Sequence, residues 1–333
     1  MKIFRRILFF ILCIALILTS IGFILPSKVH VERRLLMNAT QKTIFNQINT
    51  LRNWTKWSPL LQVDTAMKLS FSGPESGVGS SLSWLSSNKD VGEGCLSIIS
   101  NVSPESIELI YDFAEKGKSI GKFQLVKENQ KTKVIFSIDS DLGLNPVSRW
   151  FCLFSDRMIG PDIDQALLNL EETVQDTKGL YGYEIINFVA PARTMISIRD
   201  TCSPETVKLK LPVMYRKLSL FLKSKSLSPI GNPVAVFHNF TNRNFDFEAG
   251  LPVQGIISVP EELKCSGNVA QRTLMIKYIG SYKTITTAYK ALQTYMYNND
   301  LQLNGPGWEE YITNPTVEAD STMRQTNIYY PIR

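Results

Sequence analysis

Histidine is nearly missing from this chain: His30 and His238 are the only two in 333 residues, and that scarcity narrows the chemistry first. No H-x-x-x-H pair and no Cys/His cluster offers the ligand spacing of a zinc site, so no metal is expected. A Ser-His-Asp or Cys-His centre would have to be built on His238, which no nucleophile elbow accompanies. The five cysteines, Cys13, Cys95, Cys152, Cys202 and Cys265, form no C-x-x-C pair, so a redox motif has no support either. Apart from Cys13, which lies in an apolar segment, they are buried thiols or disulfide partners, and spacing does not choose between the two. A dinucleotide loop needs G-x-G-x-x-G between a strand and a helix. Gly77-Val78-Gly79-Ser80-Ser81-Leu82 lacks the third glycine and leads into strand-like sequence, so it reads as a hairpin turn, as does Gly92-Glu93-Gly94. No cofactor is expected. The formal charge of +6 is dispersed in pairs such as Arg33-Arg34 and Lys223/Lys225. It forms no stripe of Lys and Arg interleaved with aromatics, so no nucleic-acid partner is expected.

What the chain does have is apolar residues, 44% of the total against 20% charged, and length enough for two domains of ordinary size. Residues 7–25, ILFFILCIALILTSIGFIL, run 19 positions without a charge, about what a helix needs to cross the hydrocarbon core. Lys2, Arg5 and Arg6 precede the run and favour the cytoplasmic side, which would place everything after Pro26 outside the cytoplasm. The competing reading is a cleaved signal peptide. The run ends Gly-Phe-Ile-Leu-Pro rather than in the small residues a signal peptidase wants, so a retained anchor over residues 1–27 is the reading adopted.

Behind the anchor the pattern is α+β. The spacing of Ile163, Ala166, Leu167, Leu170 and Val174 predicts a helix over 162–175, and the polar, glycine-containing stretch 176–182 reads as a linker. The first domain, 28–175, opens with an alternating strand at 29–36 and a short helix capped by Thr40. Strand-like segments follow near 67–72, 80–86, 95–101, 106–113, 119–127 and 132–139. An antiparallel sheet wrapped around a final helix is the expected result, with a groove between them. The tryptophans Trp54, Trp57 and Trp84 are read chiefly as packing. The second domain, 183–333, repeats itself. A strand at 183–199, a helix at 211–225 with Pro212 in its first turn, and strands at 232–240 and 245–258 precede a turn at Pro260–Gly267. A strand at 270–279, a helix at 283–299 and strands at 308–313 and 325–331 then recur. Two strand–helix–strand–strand halves imply a pseudo-twofold domain with an antiparallel sheet, two helices and a cleft where the halves meet.

Two resemblances to known families lie on these segments. Asn53-Trp54-Thr55-Lys56-Trp57-Ser58-Pro59, with Ser72-Gly73-Pro74-Glu75-Ser76-Gly77-Val78-Gly79, Trp84 and Val91-Gly92-Glu93-Gly94, resembles the polyketide cyclase/START-like (SRPBCC) superfamily. That resemblance implies a helix-grip fold with an internal cavity, and no particular reaction. Phe245-Asp246-Phe247-Glu248-Ala249-Gly250-Leu251-Pro252-Val253, Tyr278-Ile279-Gly280-Ser281-Tyr282, Gly305-Pro306, Trp308 to Pro315 and Thr326 to Ile332 resemble the gyrase-inhibitor-like (AraC-type) effector-binding domain. Where that family commonly has His-x-Gly, this chain has Tyr278-Ile279-Gly280.

The second resemblance implies binding of small, often lipophilic and cationic molecules, and maps the cation partner onto Glu309, with Tyr311 on the same strand face. A carboxylate ringed by aromatics is costly unpaired and holds a desolvated cation well. Glu310 should point the opposite way if 308–313 is a regular strand. Tyr215, Phe237, Phe247, Tyr278, Tyr282 and Trp308 are the further candidate cleft residues. The function expected is a membrane-anchored binding protein for a lipophilic, including cationic, small molecule, acting as sensor or carrier outside the cytoplasm. The alternatives are a hydrolase using Glu309 and Tyr311, and an interaction module that binds no ligand.

Overall fold

The structure is a computed structural model. It describes the chain except residues 1, 90, 115–116, 130, 204, 241–244 and 314–319, and except the side chains of 2, 3, 8 and 240. Met1, the Lys2 side chain and the Asn314-Pro315 end of the motif above therefore lie outside the described residues. The chain divides into two compact units, Met1–Gln175 and Asp176–Arg333, and is mixed α+β with two antiparallel sheets.

In the first unit, helix α1 (Lys2–Ile24) precedes strand β1 (Lys28–Met37) and helix α2 (Gln41–Asn49), whose cap Thr40 accepts a hydrogen bond from the Thr43 amide. The strands β2 (Lys68–Ser72), β3 (Ser81–Leu85), β4 (Glu93–Val102), β5 (Ser106–Phe113), β6 (Gly117–Glu128) and β7 (Lys131–Asp141) form a meander, and β1 closes it against β7 in the order β1-β7-β6-β5-β4-β3-β2. Short polar turns make antiparallel neighbours of consecutive strands. Gly77, Gly79 and Gly92 occupy the left-handed region in the connections before β3 and β4, where a side chain would be strained. Helix α3 (Ser155–Gln175) buries Ile163, Ala166, Leu167, Leu170 and Val174 in one core with Ile44, Trp54, Trp57, Trp84 and Phe123. It begins seven residues before the predicted start. Pro161 lies inside it, whereas a proline is most easily read as a first-turn residue.

The second unit starts with a one-turn helix, Thr177–Tyr181, capped by Asp176 and ended by Gly182 in the left-handed conformation. Its elements are β8 (Ile185–Ala190), β9 (Thr194–Cys202), helix α4 (Val207–Ser224), β10 (Val234–Phe240), β11 (Phe245–Val253), β12 (Lys264–Gly267), β13 (Gln271–Ile279), helix α5 (Thr286–Asn298), β14 (Gly307–Tyr311) and β15 (Gln325–Pro331). The single strand expected at 183–199 is two strands, because Pro191 lacks the amide a continuous ladder needs. The 260–267 turn contains β12, a four-residue strand at the edge of the sheet, too short for its alternation to register. Pro212 stands inside α4, not in its first turn.

The sheet order is β12-β9-β11-β10-β14-β15-β13-β8. Its six inner strands read the same from either end: β9, β11 and β10 of one half meet β14, β15 and β13 of the other at the β10–β14 pair. The outer strands are exchanged. β8 precedes β9 in sequence but pairs with β13, and β12 precedes β13 but pairs with β9. Leu218 of α4 and Leu292 of α5, both fully buried, pack the helices into their respective half-cores.

Close packing is testable at Gly94 of β4, where an added methyl would lie 2.4 Å from the Trp84 ring and 2.8 Å from the Asp112 carbonyl oxygen. Gly94→Ala should destabilise the first unit by about 1–3 kcal/mol, seen as a lower urea midpoint. An unchanged midpoint would refute the packing described.

Candidate functional site

The register across the second sheet sets the environment of Glu309. Directly opposed residues of antiparallel strands share a face. One such row runs Ile198, Ala249, Ala235, Glu309, Ile328, Ile276, Ile185 across the strands from β9 to β8. Glu309 is the one ionisable residue in a row of isoleucines and alanines, and it is only 6% exposed. It stands opposite Ala235 across the joint between the halves, so the repeat places an alanine in one half and a carboxylate in the other.

The same repeat supplies aromatic neighbours. Tyr215 and Tyr289 each stand three residues before the buried leucine of their helix, and Phe237 and Tyr311 each stand two residues beyond Ala235 and Glu309. The hydroxyl of Tyr289 donates to one Glu309 carboxylate oxygen at 2.5 Å, and that of Tyr311 to the other at 2.7 Å. Tyr215 and Tyr282 meet the Tyr311 ring edge-on, with centroids 6.3 and 6.1 Å away. The Tyr215 hydroxyl is buried without a hydrogen-bond partner. Tyr282, 38% exposed, forms the outer edge of the group.

Burial pushes the Glu309 carboxyl above its ordinary range, and the two tyrosine hydroxyls pull it back only in part. Burial first, and the Glu309 charge second, push Tyr215, Tyr289 and Tyr311 well above the usual phenol value. All three therefore stay neutral at physiological pH, two of them as donors to the carboxylate.

Two other glutamates of this unit are buried, and each has a basic partner. Glu248 bonds His238 at 2.9 Å and accepts from Ser197 at 2.5 Å. Glu310 accepts from Tyr329 at 2.8 Å and Asn232 at 3.1 Å, with the Arg193 guanidinium at 3.5 Å. Among the described residues Glu309 pairs with no Lys, Arg or His, and its donors are tyrosines. A buried carboxylate held only by neutral donors recovers its desolvation cost in part, whereas a desolvated cation would offset the remainder.

The structure brings Glu309, Tyr311, Tyr215 and Tyr282 together and leaves Trp308 and Tyr278 elsewhere. Trp308 turns to the opposite face, where it stacks on Tyr329 at 5.0 Å; strand alternation requires this of a neighbour of Glu309, and Glu310 follows it there. Phe247 is fully buried with Phe237 in the half-core of α4, the same cluster against which Tyr215 and Tyr311 pack. The Tyr278 hydroxyl is spent on the 281–284 turn, bonded to the Ser281 carbonyl and to Thr284, both at 2.7 Å. Tyr289 is the site residue that periodicity assigns only to the buried stripe of its helix. Its correspondence with Tyr215 across the repeat is the signal that identifies it.

Residues 185–333 match the family model described as GyrI-like small molecule binding domain. No curated protein matches the chain. Among solved structures, the chain is similar to EcmrR in a DNA complex seen by cryo-electron microscopy, at 16% identity over 56% of this chain and 83% of that one, with a TM-score of 0.42. It is also similar to an uncharacterized conserved protein from Listeria innocua, at 9% identity over 45% and 93% of the two chains and a TM-score of 0.38. SAV2435 bound to tetraphenylphosphonium is similar at 9% identity over 45% and 94%, with a TM-score of 0.34.

Removing the Tyr289 hydroxyl should leave one carboxylate oxygen without its donor. Tyr289→Phe is expected to cost about 1–3 kcal/mol, while Tyr215→Phe, which deletes an unpartnered hydroxyl, should be neutral or stabilising. The raised carboxyl also fixes a pH dependence. Its stability contribution is fully present below the ordinary carboxylate range and is lost as pH rises through the elevated folded-state value. Urea denaturation across mildly acidic to neutral pH should therefore show Glu309→Gln gaining on the natural protein as pH rises. A pH-independent difference would exclude a raised carboxyl at this position.

Proposed function

We propose that the C-terminal unit binds a lipophilic cation for which Glu309 is the counter-ion, and that the chain serves as a membrane-anchored sensor or carrier outside the cytoplasm. The observation that carries the binding reading is a buried carboxylate that pairs with no Lys, Arg or His among the described residues and is surrounded by Tyr215, Tyr282, Tyr289 and Tyr311, in a domain that matches a small-molecule-binding family. Aromatic faces attract a delocalised cation while the carboxylate neutralises it. A hydrolytic role for Glu309 and Tyr311 is less well supported, because each carboxylate oxygen already accepts a tyrosine hydroxyl, which lowers its basicity toward a water.

The anchor reading draws on α1. Over Phe4–Ile24 it is long and apolar enough to cross a membrane, with a mean hydropathy of 2.9, and Phe9, Phe10, Leu12 and Leu16 are all more than half exposed. Arg5 and Arg6 orient it with the units outside the cytoplasm. For the first unit the proposal is a START-like helix-grip domain, supported by a seven-stranded meander closed on β1 with α3 packed against it. No nucleic-acid partner is included, since the basic residues of the sequence form no stripe.

Calorimetric titration with tetraphenylphosphonium, a cation whose charge is buried among aryl faces, tests the binding reading. The natural protein should bind it, and Glu309→Gln should lose at least about tenfold, or 1.4 kcal/mol. Affinity should fall as pH drops through the raised carboxyl value, since protonation removes the counter-ion. Equal binding by Glu309→Gln would refute the assignment.

A further inference from the structure

Beyond the anchor helix itself, the first unit carries an apolar surface that its fold does not use. Between β7 and α3 the chain runs through two short turns, Pro146–Arg149 and Trp150–Leu153. Leu144 is 83% exposed, and Val147, Leu153, Phe154 and Met158 are each more than half exposed. Isolated exposed apolar side chains are ordinary, but here five fall within fifteen positions of one segment.

Its position identifies what it contacts. The segment is fastened to the last turns of α1. The Arg149 guanidinium donates to the carbonyls of Phe23 at 3.0 Å and Leu25 at 3.4 Å, and to that of Gly143 at 3.0 Å through Nε. The Trp150 indole N–H donates to the Leu18 carbonyl at 3.2 Å. Gly22 lies so close to Pro146 that an added methyl would stand 2.3 Å from the Pro146 carbonyl oxygen. At 1.5 Å per residue, the Leu18 carbonyl is about 10 Å along the axis from the end of the apolar run at Leu25. An α1 that spans a bilayer therefore holds Trp150 beside its final turns, at about the depth to which interfacial segments enter the boundary of headgroups and acyl chains. Trp is favoured at that boundary, where its ring is apolar and its N–H finds an acceptor. Arg149, at the carbonyl end of the helix, sits where a cation meets both the helix dipole and lipid phosphates.

We infer that residues 144–158 form an in-plane membrane segment that seats the first unit on the bilayer surface, with Trp150 in the acyl–headgroup boundary. The inference rests on the anchor reading of α1. The occupant is lipid, and the apolar side chains around Trp150 enter the outer leaflet alongside the helix.

The test uses the full chain reconstituted into vesicles of phosphatidylcholine and phosphatidylglycerol, with bromine on the acyl chains as a short-range quencher of tryptophan. Of the five tryptophans, Trp54, Trp57, Trp84 and Trp308 are buried at 8% exposure or less, which leaves Trp150 to report lipid contact. Bromine placed near the headgroups should remove most of the Trp150 emission, bromine deep in the chains should remove less, and Trp150→Phe should abolish the quenching. A second variant, Leu144→Ser with Val147→Ser and Phe154→Ser, should still float with the vesicles while Trp150 becomes less quenched. If the chain fails to float, the anchor reading falls and this inference with it. If it floats but is not quenched, or is quenched equally after Trp150→Phe, the anchor stands and the seating of 144–158 is overturned in favour of a protein partner at that surface.

Discussion

The pairing of β10 with β14 is the contact on which the second unit depends. It joins two halves that fold alike, and its register sets Ala235 opposite Glu309. Because directly opposed residues share a face, that one register places the carboxylate in a row of isoleucines and alanines. A slip by one residue would send it to the other face, where Trp308 and Glu310 lie. The exchanged outer strands β8 and β12 tie each half to the other a second time.

From this joint follows the asymmetry that gives the site its chemistry. The repeat offers equivalent positions for Tyr215 and Tyr289, and for Phe237 and Tyr311, but only one half carries the acid. On the reverse face Glu248 and Glu310 have His238 and Arg193 close by, whereas Glu309 has two phenols. Neutral donors stabilise the ionised form in part and leave its charge uncompensated, and it is this residual cost that a bound cation would remove. On the proposed function, binding and protonation compete for one group.

Much of the fold was legible because period-two alternation and polar turns mark strands locally: every strand of the first meander, and the inner strands of the second sheet other than β9, fall close to their expected ranges. What was not legible depended on distant partners. The crossing of β8 to β13 leaves no local trace, and the edge strand β12 has four residues with no clear alternation. The starts of α3 and α4 were obscured by Pro161 and Pro212, which both helices absorb internally. At the site, the choice of Glu309 came from the resemblance to the effector-binding family, and strand alternation only put Tyr311 on the same face. Alternation itself turns Trp308 to the opposite face, and the Tyr278 hydroxyl is taken up by a turn that its own strand does not reveal. Tyr289 was hidden by helical periodicity, since a side chain on the buried face of a helix serves a core and a site equally well.

The most direct measurement of the central claim is the number of protons released when tetraphenylphosphonium binds, obtained from calorimetry in buffers of different ionisation enthalpy. At a pH between the ordinary carboxylate range and the raised Glu309 value, the account predicts release of close to one proton by the natural protein and none by Glu309→Gln. Binding without proton release, or with the same release in both proteins, would contradict it.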